Sequence, residues 1–362
     1  MSWRIENGLL MGETPGDVGE GRRFDAAGCW VMPGIVDIHG DAHERAIQPR
    51  PGVDFAPGLA WRDTATQLLA AGITTAYLGI TLSWEPGLRS AAMFHALLGA
   101  PRPPGPDMRV HLRFEADNLD VLDDALAAIA AGQVHLLGFN DHTPGIARKL
   151  QDPAQLAKYA ARGGVSEAAF RQLIDAALAH RPAIGAARVR LVLAAQAAAI
   201  PMLSHDDATL DDRAGFRALG VHICEFPLNE TIAADARAAG EPVVMGAPNV
   251  VRGGSHLGWA AAAPLAERGL VTILASDYHW PTLFEAPFVL MRRGVMKPTA
   301  AWALVSANPA LALGLEDRGR LGPGARGDAL VIEGAPNEPR LLAVFCRGAL
   351  AWIAPGAAGR VG

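Results

Sequence analysis

The feature that most constrains the fold is an alternation. From Val36 to about Asp277, short apolar runs take turns with longer Ala- and Leu-rich stretches of helical character. Such alternation marks repeated βα units on a parallel sheet. The clearest strand runs are Gly34–Ile38, Thr74–Ile80, Arg109–Phe114, Val134–Phe139, Pro201–Ser204, Val221–Glu225, Pro242–Gly246 and Val271–Ala275. Eight such runs favour closure into an α/β fold of the (β/α)8 barrel type over an open sheet. Between them, Trp61–Ala71, Leu119–Ala131, Glu230–Ala239 and Leu257–Arg268 read as helices bounded by Gly, Pro, Asn or Asp. Residues 144–199 are too many for one crossover and read as two or three helices, the middle one opened by Ser166 and Glu167. They form a lid or a subunit contact.

A barrel takes roughly 250 residues, which leaves part of this 362-residue chain over. The remainder lies at both ends, where residues 1–32 and 320–362 carry short strand-like pieces such as Asp328–Ile332 and Ala343–Cys346. We read them as one small β-sandwich module built jointly by the two ends, around a barrel of residues 33–319. Half the residues are apolar and 19% are charged, a balance for a large buried interior rather than disorder.

A net charge of -5 without any long Lys/Arg run argues against nucleic-acid or membrane-surface partners, so an anionic ligand requires a local basic pocket. Cys29, Cys224 and Cys346 lack Cys-x-x-Cys spacing, which suggests neither a disulfide framework nor a thiolate zinc site. The first residues turn acidic before any signal-like apolar run, and the most apolar internal run, Leu191–Leu203, falls short of the ~20 residues a membrane helix needs. The expectation is a cytoplasmic homo-oligomer.

The strongest chemical signal is Pro33-Gly34-Ile35-Val36-Asp37-Ile38-His39-Gly40-Asp41, an apolar strand ending in two potential ligands. Side chains at i and i+2 of a strand share a face, so His39 and Asp41 can reach one ion together. Taken alone, the pair could equally be a core histidine beside a helix cap. Four more polar residues follow apolar strands in the same way: Glu115, His142, His205 and Asp277. Six such groups on one rim of a barrel point to a metal, because unpaired carboxylates and imidazoles there would be left repelling or unsatisfied. Asp206 and Asp207 either orient the neighbouring His205 or cap the next helix. In the loop Asn249-Val250-Val251-Arg252-Gly253-Gly254-Ser255-His256, Arg252, the Gly253 and Gly254 amides and His256 suit phosphate oxygens. Arg50 and His43 lie close enough in sequence to the first strand to touch substrate, and a solvated surface role is an equal alternative for both.

The segments PGIVDIHGD, PRPGVDF, AGITT, HLRFE, DHTPG, LSHDDAT, ICEFP, MGAPNVVRGGSH and SDYHWP, with the tail NPALALGLEDRGRLGPGARGDALVI, run nearly the whole length. On them the chain resembles the amidohydrolase superfamily, and within it the triphosphate diphosphatase branch that serves carbon-phosphorus bond cleavage. The resemblance implies His39, Asp41, His142, His205 and Asp277 as metal ligands, with Glu115 shared between two ions. It also makes Asp277 the general base or proton shuttle. One or two zinc ions are expected from the nitrogen and oxygen donors, with manganese or iron as alternatives. The implied activity is cleavage of a phosphoanhydride in a phosphorylated sugar, a ribose 1-phosphonate 5-triphosphate, with release of diphosphate. A carbon-nitrogen hydrolase using the same ions on an amide carbonyl is the alternative, and a non-catalytic barrel kept for assembly is a third.

Overall fold

The structure is a computed structural model that describes residues 2–14, 22–254 and 262–362. The strands, in chain order, are β1 (Ser2–Glu6), β2 (Leu9–Thr14), β3 (Trp30–Pro33), β4 (Ile35–Gly40), β5 (Ile73–Leu82), β6 (Asp107–Glu115) and β7 (Leu136–Asn140). They continue with β8 (Met202–His205), β9 (Ile223–Glu225), β10 (Val243–Gly246), β11 (Ile273–Ala275), β12 (Ala329–Glu333), β13 (Arg340–Cys346) and β14 (Ala349–Ile353). Strands β4 to β11 form one parallel sheet in sequence order, with helices on the connections. Every residue of β4 and of the ten-residue β5 is buried, as a strand covered on both faces requires.

The sheet closes on itself at the ends of its first and last strands. The Asp277 amide donates to the His39 carbonyl at 3.0 Å and the Asp41 amide donates to the Asp277 carbonyl at 3.0 Å. Below that seam, Asp37 accepts from the Ser276 amide at 3.0 Å and from its hydroxyl at 2.6 Å. The barrel is thus a (β/α)8 barrel whose closure is made by the residues expected to hold a metal.

The segment after β7 contains four α-helices, Thr143–Lys149, Pro153–Gly163, Glu167–Ala179 and Ile184–Ala197, where the sequence suggested two or three. Ser166 caps the third by accepting from the Ala169 amide at 3.2 Å. The last buries Leu191, Val192 and Ala195 in the barrel's outer core and is the true crossover helix, whereas the first three enclose a separate core of Ile146, Leu156, Phe170 and Ile174.

The chain ends build sheets of their own. β3 pairs antiparallel with β12, which continues through β13 to β14, while β1 and β2 make a separate hairpin. No helix among the described residues is long and apolar enough to cross a membrane.

Candidate metal centre

Six of the eight barrel strands, β4, β6, β7, β8, β9 and β11, bring His, Asp or Glu side chains to the mouth of the barrel at or just past their ends. From β4 come His39, 1% exposed, and Asp41 just past its end. The ends of β8 and β11 are followed by Asp206 (φ 59°) and Asp277 (φ 55°), both in the left-handed region that non-glycine residues rarely adopt. That conformation turns the two carboxylates back over the mouth, and strain of this kind is characteristic of functional sites. Ligand atoms of His39, Asp41 and Asp277 lie within 4.8 Å of one another, as do those of His142, His205 and Asp206.

The three imidazoles are aimed by buried carboxylates. Glu225, fully buried at the end of β9, holds His39 Nδ1 on Oε1 at 2.9 Å and His205 Nδ1 on Oε2 at 2.8 Å. A carboxylate only accepts, so both rings carry their hydrogen on Nδ1 and present the Nε2 lone pair. The two rings stack at 5.8 Å. Glu115 does the same for His142, accepting Nδ1–H at 3.0 Å on Oε2. Its Oε1 accepts from the His142 amide at 2.6 Å, the Thr143 amide at 3.1 Å and the Thr143 hydroxyl at 3.2 Å. Glu115 therefore has both oxygens engaged on the helix that begins at Thr143.

Burial governs the charges. It holds His39 well below the usual imidazole range and His205 at about 3, so both are neutral donors at ordinary pH. Burial, then the charge of Asp41, lifts Asp277 to about 7; burial, then Glu44, lifts Asp41 to about 6. A carboxylate, Asp41, that raises the pKa of a second, Asp277, beside the neutral imidazole of His39 makes a donor set that a divalent cation fits, because it would relieve that repulsion.

Arg113 lies within the cluster, 6% exposed, with Nη1 donating to Asp41 at 3.5 Å and Nη2 to His205 Nε2 at 3.3 Å. Its Nε has no partner among the described residues. Gly79 makes room for it, since a Cβ there would approach Arg113 Cδ to 3.0 Å. One layer deeper, His111 is fully buried, edge-on to His39 at 5.2 Å, and burial keeps it uncharged.

The other expected residues are less concentrated. Asp207 turns away to Ser204 and Arg213, and the helix after β8 is capped by Thr209 rather than by either aspartate. Arg252 is exposed at the end of helix Ala247–Arg252, with Nη1 donating to Tyr278 Oη at 3.4 Å. Gly253 ends that helix at φ 84°, and Gly254 has open space where a Cβ would stand. The helix starts against the cluster, because a Cβ on Gly246 would lie 3.4 Å from Asp277 Oδ2. His256 lies outside the described residues. Arg50 is exposed in a turn bridged to Val53, and His43 is buried against Trp61 at 5.5 Å. Sequence reasoning missed Glu225, Arg113 and His111. Only Glu225 carried a signal, as the polar last residue of the apolar run Val221–Glu225.

No family model matches the chain. Over 368 aligned positions it is 31% identical to the alpha-D-ribose 1-methylphosphonate 5-triphosphate diphosphatase of Escherichia coli (strain K12), with 95% of this chain and 97% of that protein covered. Among solved structures it resembles the 5-methylcytosine deaminase from Klebsiella pneumoniae liganded with 5-fluorocytosine, at a TM-score of 0.61 and 14% identity over 97% of this chain and 94% of that one. An amidohydrolase from an environmental sample of the Sargasso Sea matches with TM-score 0.61 and 14% identity over 97% and 86%. A triazine hydrolase variant matches with TM-score 0.62 and 14% identity over 96% and 89%. At that identity the structural likeness concerns the fold, whereas the full-length sequence match is close enough to assign a family. The chain is a hydrolase on the amidohydrolase barrel and belongs to the family of the alpha-D-ribose 1-methylphosphonate 5-triphosphate diphosphatase.

Proposed function

We propose that the protein hydrolyses a phosphoanhydride of a ribose 1-phosphonate 5-triphosphate and releases diphosphate, the substrate class for which its relative is named. The observation that carries the reading is the convergence of three Nε2 lone pairs with Asp41 and Asp277 on one rim. His39, Asp41, His142, His205 and Asp277 are the residues that would hold a divalent ion, zinc first and manganese or iron as alternatives. Such an ion acidifies water and polarises a phosphoryl oxygen.

The chain's own groups account for the rest. Asp277, raised to about 7, is suited to accept a proton from the attacking water and return it later. Arg113 places a guanidinium inside the cluster, where it offsets charge on the phosphoryl oxygens. Arg252, the Gly253 and Gly254 amides and, on its own loop, Arg50 are the outer contacts for a polyanion, and His256 belongs to the same reading. Glu115 can become a ligand shared by two ions only by releasing His142 and Thr143. We place the protein in the cytoplasm on the strength of its three free thiols, and as a homo-oligomer through the half-exposed Val53, Phe55 and Leu59.

The test is incubation of the metal-loaded protein with ribose 5-triphosphates, with and without a 1-phosphonate, beside a panel of N-acyl and cyclic amides, followed by phosphorus NMR and amine detection. Release of diphosphate supports the proposal. Rapid amide turnover with no diphosphate from any triphosphate would replace it with a carbon-nitrogen hydrolase.

A further inference from the structure

A cavity of about 830 Å³ opens between Pro51 and the helices Thr143–Lys149 and Pro153–Gly163. Its cationic lining is Arg148, Lys149, Lys158 and Arg162. In a chain of net charge -5 this is a local concentration of cations, whereas several arginines elsewhere are answered by carboxylates. Arg181 pairs with Asp117 and Asp141, Arg217 with Asp235 and Glu241, and Arg318 with Asp107 and Asp317. Arg148, Lys149 and Lys158 have no side-chain hydrogen bond or ion pair among the described residues. The lining holds one carboxylate, Asp152, and it caps a helix by accepting from the Ala154 amide at 2.9 Å.

The end of a helix attracts cations, which accounts for Arg148 and Lys149. It does not account for Lys158, which stands in the middle of the next helix. Cations facing one cavity repel unless an anion joins them.

Two features of the fold link the cavity to the candidate metal centre. Helix Thr143–Lys149 starts beside His142, and at ~1.5 Å per residue it carries Lys149 roughly 10 Å from that ligand. Ion pairs run from Arg162 to Glu85, from Glu85 to Arg89 and from Arg89 to Glu44, three residues after Asp41.

We propose that this groove is an oligophosphate subsite, which receives the leaving diphosphate portion of the substrate while the phosphorus under attack lies at the metal centre. The inference rests on the phosphoanhydride reading given above. Water oxygen forms the new bond to that phosphorus, the bond to the bridging oxygen breaks, and the electron pair leaves with the diphosphate. The water proton passes to Asp277. The groove cations hold the departing group.

The experiment titrates inorganic diphosphate into the metal-loaded protein by calorimetry at fixed ionic strength. Wild type is compared with a variant carrying Arg148→Gln, Lys149→Gln and Lys158→Gln, and with a charge-matched control carrying Arg62→Gln, Arg171→Gln and Lys297→Gln. All six positions are exposed, and metal content and circular dichroism verify that the variants are folded. The groove variant should bind diphosphate at least tenfold more weakly, since charge-assisted contacts are lost, and the control within about twofold of wild type. The groove variant should also raise KM for a triphosphate more than it lowers kcat. Binding within twofold of wild type, or a loss no greater than the control's, overturns the subsite. If groove binding behaves as expected but no triphosphate is cleaved, the reaction assignment fails while the anion site stands. If triphosphate is cleaved and the groove variant binds like wild type, the subsite fails alone.

Discussion

A single carboxylate that accepts from two imidazoles fixes two proposed ligands at once. Replacing Glu225 by Gln keeps one acceptor oxygen but turns an NH2 toward the other ring, so His39 or His205 loses its defined tautomer. Metal affinity should fall about 10- to 100-fold, the range for partners that orient ligands. Competition with a chelating dye reads this directly, and an unchanged affinity would deny Glu225 that role. Asp277→Asn should behave differently: the amide still offers an oxygen but accepts no proton. Turnover should drop by about 10²–10⁴ with metal content nearly retained, as compared by elemental analysis and steady-state rates. His39 and Asp41 were legible in the sequence because their i, i+2 spacing at a strand end is a local pattern. Glu225 was not, since its meaning depends on His39, 186 positions away. Arg113 was hidden for a related reason: a cation within an apolar strand reads as alternation until the opposite strands are known.

At the scale of elements, β4 matters most because it begins the barrel, seals it and positions two proposed ligands, His39 on the strand and Asp41 just past its end. Gly40, between those ligands, is the closest approach on that strand. A Cβ there would fall 1.8 Å from Trp280 Cζ3 and 2.7 Å from Ser276 Oγ. Gly40→Ala must therefore displace the indole or the strand, an overpacking that costs about 1–3 kcal/mol. A lower melting temperature together with reduced metal occupancy is expected. A fully loaded variant of wild-type stability would show that the seam is slack. The eight barrel strands were legible because each is an apolar run between turn-forming residues, with only the ends shifting, as where Val134–Phe139 became Leu136–Asn140. The helical insertion was undercounted for a physical reason. Only Leu150 to Asp152 separate its first two helices, and so short a break without glycine looks continuous until Pro153 is recognised as a helix start.

Across the whole molecule, the foot of the barrel is tied to the returning chain by one charge cluster. Asp107, at the start of β6, accepts from Arg318 at 2.6 Å, Arg109 at 3.1 Å and Arg326 at 3.2 Å. Burial would raise its pKa, but the three guanidinium groups outweigh that and bring it to about 2. A folded-state pKa below the unfolded ~3.9 means the stabilisation is complete above about pH 4 and is lost as pH falls toward 2. The cluster should contribute on the order of 2 kcal/mol near neutrality. Asp107→Asn should be less stable by about that amount at pH 7, and chemical denaturation should show the gap closing between pH 4 and 2. A gap independent of pH would assign the loss to packing.

The sheet outside the barrel has a consequence for synthesis. Val31 in β3 faces Val331 in β12. At 5–20 residues per second, a ribosome completes that partner roughly 15–60 s after it has made β3. Throughout that interval the edge of β3, including Trp30, is without its neighbour and open to strands of other nascent chains. The last sheet to be translated is thus the one that ends the exposure of one of the first strands made, and the yield of native protein depends on how long that edge stays single.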